Sequence, residues 1–366
     1  EHQDNARRRT GRLVFLFIFA VVLIVAAVYL AFTFSMSAII AQQGHGIRQE
    51  FPLWDLKRFL IVAGITAGVI TLGSMYKTLS LSGGGGNIAK MLGGVRIMPD
   101  AIDPAQRRLL NIVEEMSIAS GIPVPEVYLL PDENGINAFA AGTTTSNAAI
   151  AVTGGALKIF SRDELQGVIG HEFSHILNGD MRLNIRLIGV LHGILLISII
   201  GSIMVRIIAR SGSGRSRSSS RSKGKGGGGA VILALLALGV ALYLIGYIGL
   251  FFGRLIKAAV SRQREFLADA ASVQFTRNPH GLAGALKKIG GFVSGSRISS
   301  SQAESCSHLF FSNAVTAPFV FKMLATHPPL DKRIRTIDPS WDGTFPKIEY
   351  AKFEEKEAAP KKTLHL

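Results

Sequence analysis

Residues 161–180 read SRDELQGVIGHEFSHILNGD, and the rest of the chain is best understood outward from them. Ser161 followed three positions later by Glu164 is a capping box, and Asp163 adds negative charge at the positive end of the helix dipole, so a helix begins here. It runs through His171, Glu172 and His175 until Gly179 offers a stop. His171 and His175 are four apart and share one face, so both imidazoles can reach one ion. Glu172 is offset from them, close enough for a water at the metal but not for the metal itself.

That spacing meets a chemical need. Peptide hydrolysis near neutral pH requires an activated water, and zinc lowers the pKa of its bound water to about 7 while polarising the scissile carbonyl. Glu172 is placed to take the water proton and pass it to the leaving amine. Two His and a Glu also meet at this spacing by chance, but the capped helix around them favours a metal site. One zinc ion per chain is therefore the expected cofactor, and catalytic zinc takes three protein ligands. A metzincin would place Gly and His three and six residues beyond His175, where this chain has Asn178 and Met181. The third ligand must come from elsewhere. SRQREFLADAAS at 261–272 offers Glu265 and Asp269, i and i+4 on one helical face, as a ligand and an acceptor for a ligand imidazole. On pattern alone Glu265 is as readily a surface carboxylate as a ligand.

Composition sets the surroundings of this helix. Of 366 residues, 48% are hydrophobic, only 18% are charged, and the formal charge is +15. Soluble chains run near a quarter charged, and here the apolar residues fall in blocks. The block at 13–34 follows the basic segment 1–12 and has the roughly 20 residues a membrane crossing needs. It is too long for the apolar region of a cleaved signal peptide. Further blocks lie at 59–76, 187–208 and 230–253, giving four hydrophobic helices. The third contains His192 and Arg206, to which no catalytic role is assigned. Segment 209–229 is Ser-, Arg- and Gly-rich and reads as a flexible linker. It lacks the interleaved aromatics that nucleic-acid binding needs, so no nucleic-acid partner is expected. The single Cys306 excludes an intrachain disulfide framework.

The polar regions 82–186 and 254–345 remain for one soluble domain with the third and fourth helices inserted in it, followed by a polar tail at 346–366. Leu109, Ile112, Val113 and Met116 at helical spacing predict a helix over 104–120, ending before Gly121. EVYLL at 126–130 and AAIAV at 148–152 predict strands of a small sheet, with a loop or edge strand between them.

HEFSHILNGDM at 171–181 and SRQREFLADA at 261–270 resemble the paired signatures of the HtpX family of membrane-bound zinc metalloproteases. NGINAFAAG at 134–142 and THPPLDKRI at 326–334 resemble two more segments of that family, in the same order. The resemblance covers most of the chain from 83 to 334 and is weakest in the linker and at 291–309. The CAAX prenyl proteases are more distantly similar, sharing the catalytic motifs but having more spans. The resemblance implies an α+β membrane protein: a mainly helical zincin-type metalloprotease domain with a small β-sheet and about four transmembrane or membrane-embedded helices. It implies Glu265 as the third zinc ligand beside His171 and His175. It also implies an edge strand of Asn137, Ala138 and Phe139 that binds substrate backbone, His327 as a catalytic donor to the developing oxyanion, and Arg333 in support of the same substrate region. Asp180 and Asp269 become supports behind the metal ligands. Without the family, His327 reads as a helix-cap or loop histidine and the two aspartates as ordinary helix-end carboxylates.

The expected function is thus an integral membrane zinc endopeptidase acting on polypeptides, chiefly membrane proteins, in stress response and quality control. The alternatives are a CAAX-type prenyl peptidase and a membrane scaffold that binds polypeptide without cutting it. Both zinc-binding segments share the side of the N-terminus. The cluster Arg7–Arg12 marks that side as the cytoplasmic face of the inner membrane. The same topology sends Arg210, Arg215, Arg217, Arg221, Lys223 and Lys225 to the far side, against the positive-inside rule, unless the third and fourth helices do not fully cross or the orientation is reversed. Neither substrate identity nor oligomeric state is written in the sequence.

Overall fold

The computed structural model describes residues 2–43, 52–213, 228–292 and 325–347. Residues 214–227 of the expected linker, Cys306 and the tail from 348 lie outside them. The chain begins with helices α1 (His2–Gln43), α2 (Leu56–Leu81) and α3 (Gly85–Met91). Then come β1 (Val95–Arg96), α4 (Pro104–Ser120), β2 (Glu126–Leu130), β3 (Ala138–Ala141), β4 (Ala149–Thr153), α5 (Gly154–Ile159) and α6 (Arg162–Leu177). The remaining helices are α7 (Asp180–Ser213), α8 (Gly228–Thr276), α9 (Pro279–Gly291) and α10 (Leu330–Ile337).

Two compact units are present. One joins Arg12–Ser80 with Arg186–Ile256, and the other joins Leu81–Ile185 with the chain from Lys257 onward and the first eleven residues. The first unit holds the four apolar stretches, which fall within the long helices Gly11–Ala41, Leu56–Leu81, Asp180–Arg210 and Val231–Thr276. Each helix outruns the apolar block read from the sequence, because helical hydrogen bonding continues where hydropathy ends. The 46-residue stretch Val231–Thr276 would span about 69 Å at 1.5 Å per residue, more than twice a hydrocarbon core of about 30 Å. Its charged half carrying Glu265 therefore extends beyond the crossing segment.

Inside this unit the helices touch through glycine. A Cβ at Gly246 would sit 2.5 Å from the Ser198 backbone nitrogen, and one at Gly193 would collide with the Ile70 carbonyl. Small residues allow such close approach where apolar lipid provides no hydrophobic drive for helices to associate. His192 is accounted for here, with its ring centroid 6.1 Å from that of Tyr76.

The second unit is built on a four-stranded sheet of order β1-β2-β4-β3. β2 and β4 run parallel, while β1 and β3 pair antiparallel with their neighbours. The apolar runs within β2 and β4, Val127–Leu130 and Ala149–Val152, suit a sheet covered on both faces. With period 2, Val127, Ala138, Ala140, Ile150 and Val152 turn to one core, shared with Leu109, Ile112, Leu165, Ile169 and Phe173 of α4 and α6. Tyr128, Leu130, Phe139 and Ala151 turn to a second cluster with Ala89 and Leu92. Helix α4 has the predicted bounds: Asp103 caps it by accepting from the Gln106 N–H at 3.0 Å, Pro104 occupies its first turn, and Gly121 ends it at φ 72°.

Helices α6 and α9 cross at Gly167, where an added Cβ would lie 2.6 Å from Leu282 N and 2.8 Å from its Cα. Replacing helical Gly by Ala gains at most about 1 kcal/mol of propensity, whereas overpacking against backbone costs about 1–3 kcal/mol. Gly167→Ala is therefore expected to lower the melting temperature of the detergent-solubilised protein. Gly64→Ala, where nothing lies within 4 Å, should not lower it; equal melting of both variants would contradict the crossing.

Candidate metal centre

The capping box of α6 is formed in both directions. The Ser161 N–H donates to Glu164 Oε2 at 2.8 Å, and the Glu164 N–H donates to Ser161 Oγ at 3.3 Å. Lys288 Nζ, 2.6 Å from the same Glu164 oxygen, ties the helix start to α9. Two turns further on, His171 and His175 present their Nε2 atoms to each other at 3.1 Å. Helix α8 brings Glu265 to them: its Oε1 lies 3.5 Å from His175 Nε2 and its Oε2 3.6 Å from His171 Nε2.

These distances allow a direct test of whether the residues fit zinc. Donors about 2.0–2.2 Å from one ion at tetrahedral corners stand about 3.3–3.6 Å apart, close to what the trio shows. The tautomers agree as well. His171 Nδ1 is 2.9 Å from Asp269 Oδ1, and His175 Nδ1 is 2.9 Å from Asp180 Oδ2. An ionised carboxylate only accepts, so each ring carries its hydrogen on Nδ1 and directs Nε2 at the shared point. Among the described residues, His171, His175 and Glu265 are the one group of three such side chains able to hold a metal ion.

The outer partners form a chain of their own. Arg333, fully buried, donates from Nε to Asp269 Oδ2 at 2.9 Å and from Nη2 to Asp269 Oδ1 at 2.6 Å, and its Nη1 is 3.3 Å from Glu265 Oε2. Arg264 holds Asp180 Oδ1 at 2.9 Å. Nothing in the one-dimensional pattern pairs Arg264 with Asp180.

Burial sets the electrostatics. It pushes the His171 imidazole down to about 4, against the pull of Asp269 and Glu265. Burial also opposes charge on His175, but hydrogen bonds to Asp180 and Glu265 outweigh it and hold this imidazole well above its usual range. Glu172 is 1% exposed, and neither of its oxygens has a hydrogen-bond partner. The Ala140 backbone favours its charged form. Burial, offset in part by His175, raises the Glu172 carboxyl to about 7.

A stability prediction follows for metal-free protein. The folded value of about 7 exceeds the usual 4.5, so this group's contribution is fully present below about pH 4.5 and is lost as pH rises through 7. The gap corresponds to about 3 kcal/mol. Glu172→Gln removes the titration while leaving His171 and His175 in place. It should melt increasingly above the parent as pH rises from 4.5 to 8, and parallel melting curves across that range would refute the assignment.

The other expected site residues are Arg333 on α10, Asn137, Ala138 and Phe139 at β3, and His327. Arg333 is fully buried and contacts Asp269 and Glu265, so it acts through those carboxylates as a positioning residue. Asn137 precedes the strand instead of forming it. Its N–H donates to Thr153 Oγ1 at 2.9 Å, and its Oδ1 accepts from the Ala138 N–H at 3.0 Å. The strand covers Ala138–Ala141, and the Phe139 side chain belongs to the core, so only backbone is left for substrate there. His327 Nδ1 lies 2.9 Å from Glu265 Oε2 but is misaligned for a hydrogen bond, and neither of its nitrogens makes one.

Residues 104–340 match the model of peptidase family M48. The chain belongs to this family. Among M48 relatives, it is 39% identical over 231 residues to a protease HtpX homolog of Thermoanaerobacter pseudethanolicus, covering 63% of this chain and 70% of that protein. It is 33% identical over 316 residues to a protease HtpX homolog of Streptococcus uberis, covering 84% and 93%. The solved structure of S. mikatae Ste24p aligns over 77% of this chain and 64% of its own, with TM-score 0.43 and 17% identity. The M48 match and these relatives make the chain an HtpX-type metalloprotease, and its four apolar helices make it a membrane protein.

Proposed function

We propose that the protein is a zinc-dependent endopeptidase of the inner membrane, with its protease unit on the cytoplasmic face, that cleaves exposed or misfolded segments of membrane proteins in quality control. The observation that carries this reading is the convergence of His171, His175 and Glu265 at tetrahedral spacing beside a buried carboxylate, Glu172, whose oxygens have no partner. Zinc held by the three side chains would supply an acidified water and a polarised scissile carbonyl. Glu172 accepts the proton of the attacking water and returns it to the leaving amine. Asp269 and Asp180 keep each ligand imidazole in the Nδ1–H form, and Arg333 and Arg264 hold those aspartates in place.

Strand β3 closes one end of the sheet, pairing within it only with β4. An extended substrate adding to it would place its peptide bonds beside α6, in the manner of strand addition. His327 donates to the oxyanion of the cleaved carbonyl.

The test uses purified full-length protein and casein. Cleavage should stop when zinc is stripped with 1,10-phenanthroline and return on adding one equivalent of zinc. Cleavage confined to prenylated C-terminal peptides would replace this reading by the CAAX type, and cleavage that survives stripping would end it. For orientation, reporter fusions at Ser220 and at the C-terminus should report opposite sides, with the C-terminus cytoplasmic.

A further inference from the structure

We infer that the groove between α1, α2 and α8 binds one anionic phospholipid, with its phosphate at Lys57 and Arg58 and one acyl chain along Phe32, Ile61, Ile65, Leu238 and Leu242. The groove is a cavity of about 480 Å³, within the range of small-molecule pockets. Its apolar wall alone selects nothing, since in a bilayer lipid tails are as apolar as the wall. The choice of ligand lies in the mouth, lined by Asp55, Lys57 and Arg58. Asp55 is already engaged: its Oδ1 accepts the Arg58 N–H at 2.6 Å as the cap of α2. Among the residues lining the groove, the two cations Lys57 and Arg58 outnumber the one carboxylate. Lys57 is exposed and has no hydrogen-bond or ion-pair partner among the described residues.

The rim is held in place and lies at the depth of a headgroup. Tyr29 Oη donates to the Leu53 carbonyl and accepts the Asp55 N–H, both at 3.0 Å. The Tyr29 ring meets Trp54 and Phe59 edge-on at centroid distances of 5.7 and 5.4 Å. Arg58 Nη1 donates to the Pro52 carbonyl at 3.0 Å. Trp54, 61% exposed at the start of an apolar helix, is the side chain that settles at a membrane–water interface. A rigid cationic rim at the interface above an apolar slot matches a ligand with a phosphate and a chain. Basic side chains near a bilayer surface are attracted to anionic lipid in this way.

The test is native mass spectrometry of the full-length protein equilibrated in detergent with equimolar dioleoylphosphatidylglycerol and dioleoylphosphatidylcholine. One phosphatidylglycerol per chain should be retained, preferred at least about tenfold, because two rim cations each contribute to the preference. Lys57→Gln should lower that preference severalfold and Lys57→Gln with Arg58→Gln should abolish it. Leu242→Trp, which fills the slot and leaves the charges, should lower retention of both lipids. Arg58 also holds the Pro52 carbonyl, so if the double variant misfolds, Lys57→Gln and Leu242→Trp carry the test. An unchanged lipid ratio in Lys57→Gln, full retention in Leu242→Trp, or competition by glycerol 1-phosphate as strong as by the lipid would overturn the proposal.

Discussion

Glu172→Gln is expected to lower casein cleavage by about 10²–10⁴-fold, the range supplied by a positioned general acid–base group, while still binding one zinc per chain. Gln has nearly the shape of Glu, so α6 and its neighbours His171 and His175 keep their positions. What the substitution removes is a proton acceptor. The Glu172 carboxylate is not among the three donors at tetrahedral spacing, and its two oxygens have no hydrogen-bond partner to lose. The loss should therefore appear in kcat with KM little changed, because the proton moves only on the way to the transition state. Metal content by elemental analysis separates the two readings of an inactive variant. Full zinc with no turnover supports the assigned role, whereas lost zinc would make Glu172 a ligand or a structural support. Cleavage equal to the parent would refute the mechanism outright.

Arg333→Leu is the second substitution with a large expected effect. It leaves Asp269 and Glu265, 2% and 3% exposed, without the guanidinium that contacts both. Removing one partner of a buried ion pair costs about 3–5 kcal/mol, because the other charge stays buried and uncompensated. Bound metal would relieve Glu265 but not Asp269, so the melting temperature should fall in the zinc-loaded protein too. Loss of the support behind a ligand should also weaken zinc binding by about 10–100-fold, measured by competition with a chelator. Arg333→Lys should recover little, since an ammonium cannot reproduce the two parallel bonds to Asp269. Adding Asp269→Asn to Arg333→Leu should restore part of the stability by removing the stranded charge. It should not restore zinc affinity, because an amide orients His171 poorly. A single variant with parental melting and parental zinc affinity would show that Arg333 is no more than packing.

Local and periodic features were legible along the chain. The Ser161–Glu164 capping box marks the start of α6, and the apolar spacing of Leu109, Ile112, Val113 and Met116 marks α4, because both act within one or two helical turns. The i, i+4 spacing places His171 and His175 on one face before any tertiary contact exists. The apolar blocks announce membrane helices because a bilayer imposes a length that hydropathy alone can meet. By contrast, Glu265 was undecided on pattern until a family resemblance was invoked, and Arg264 carried no signal. The carboxylates that Arg333 contacts were not readable either. Each of these depends on a partner remote in sequence: Arg264 on Asp180, and Arg333 on Asp269 and Glu265.

The chain order by itself determined that the protein has four apolar helices and a capped helix with two imidazoles aimed at one point. Only the tertiary structure decided which carboxylate completes that point and which cations stand behind it. The physical reason is the reach of each force. Capping, helical periodicity and hydropathy act through neighbouring residues and are written in spacing. The charge balance of a buried site depends on which helices pack together, and here that means α8 meeting α6 and α10 meeting α8, which no local pattern encodes.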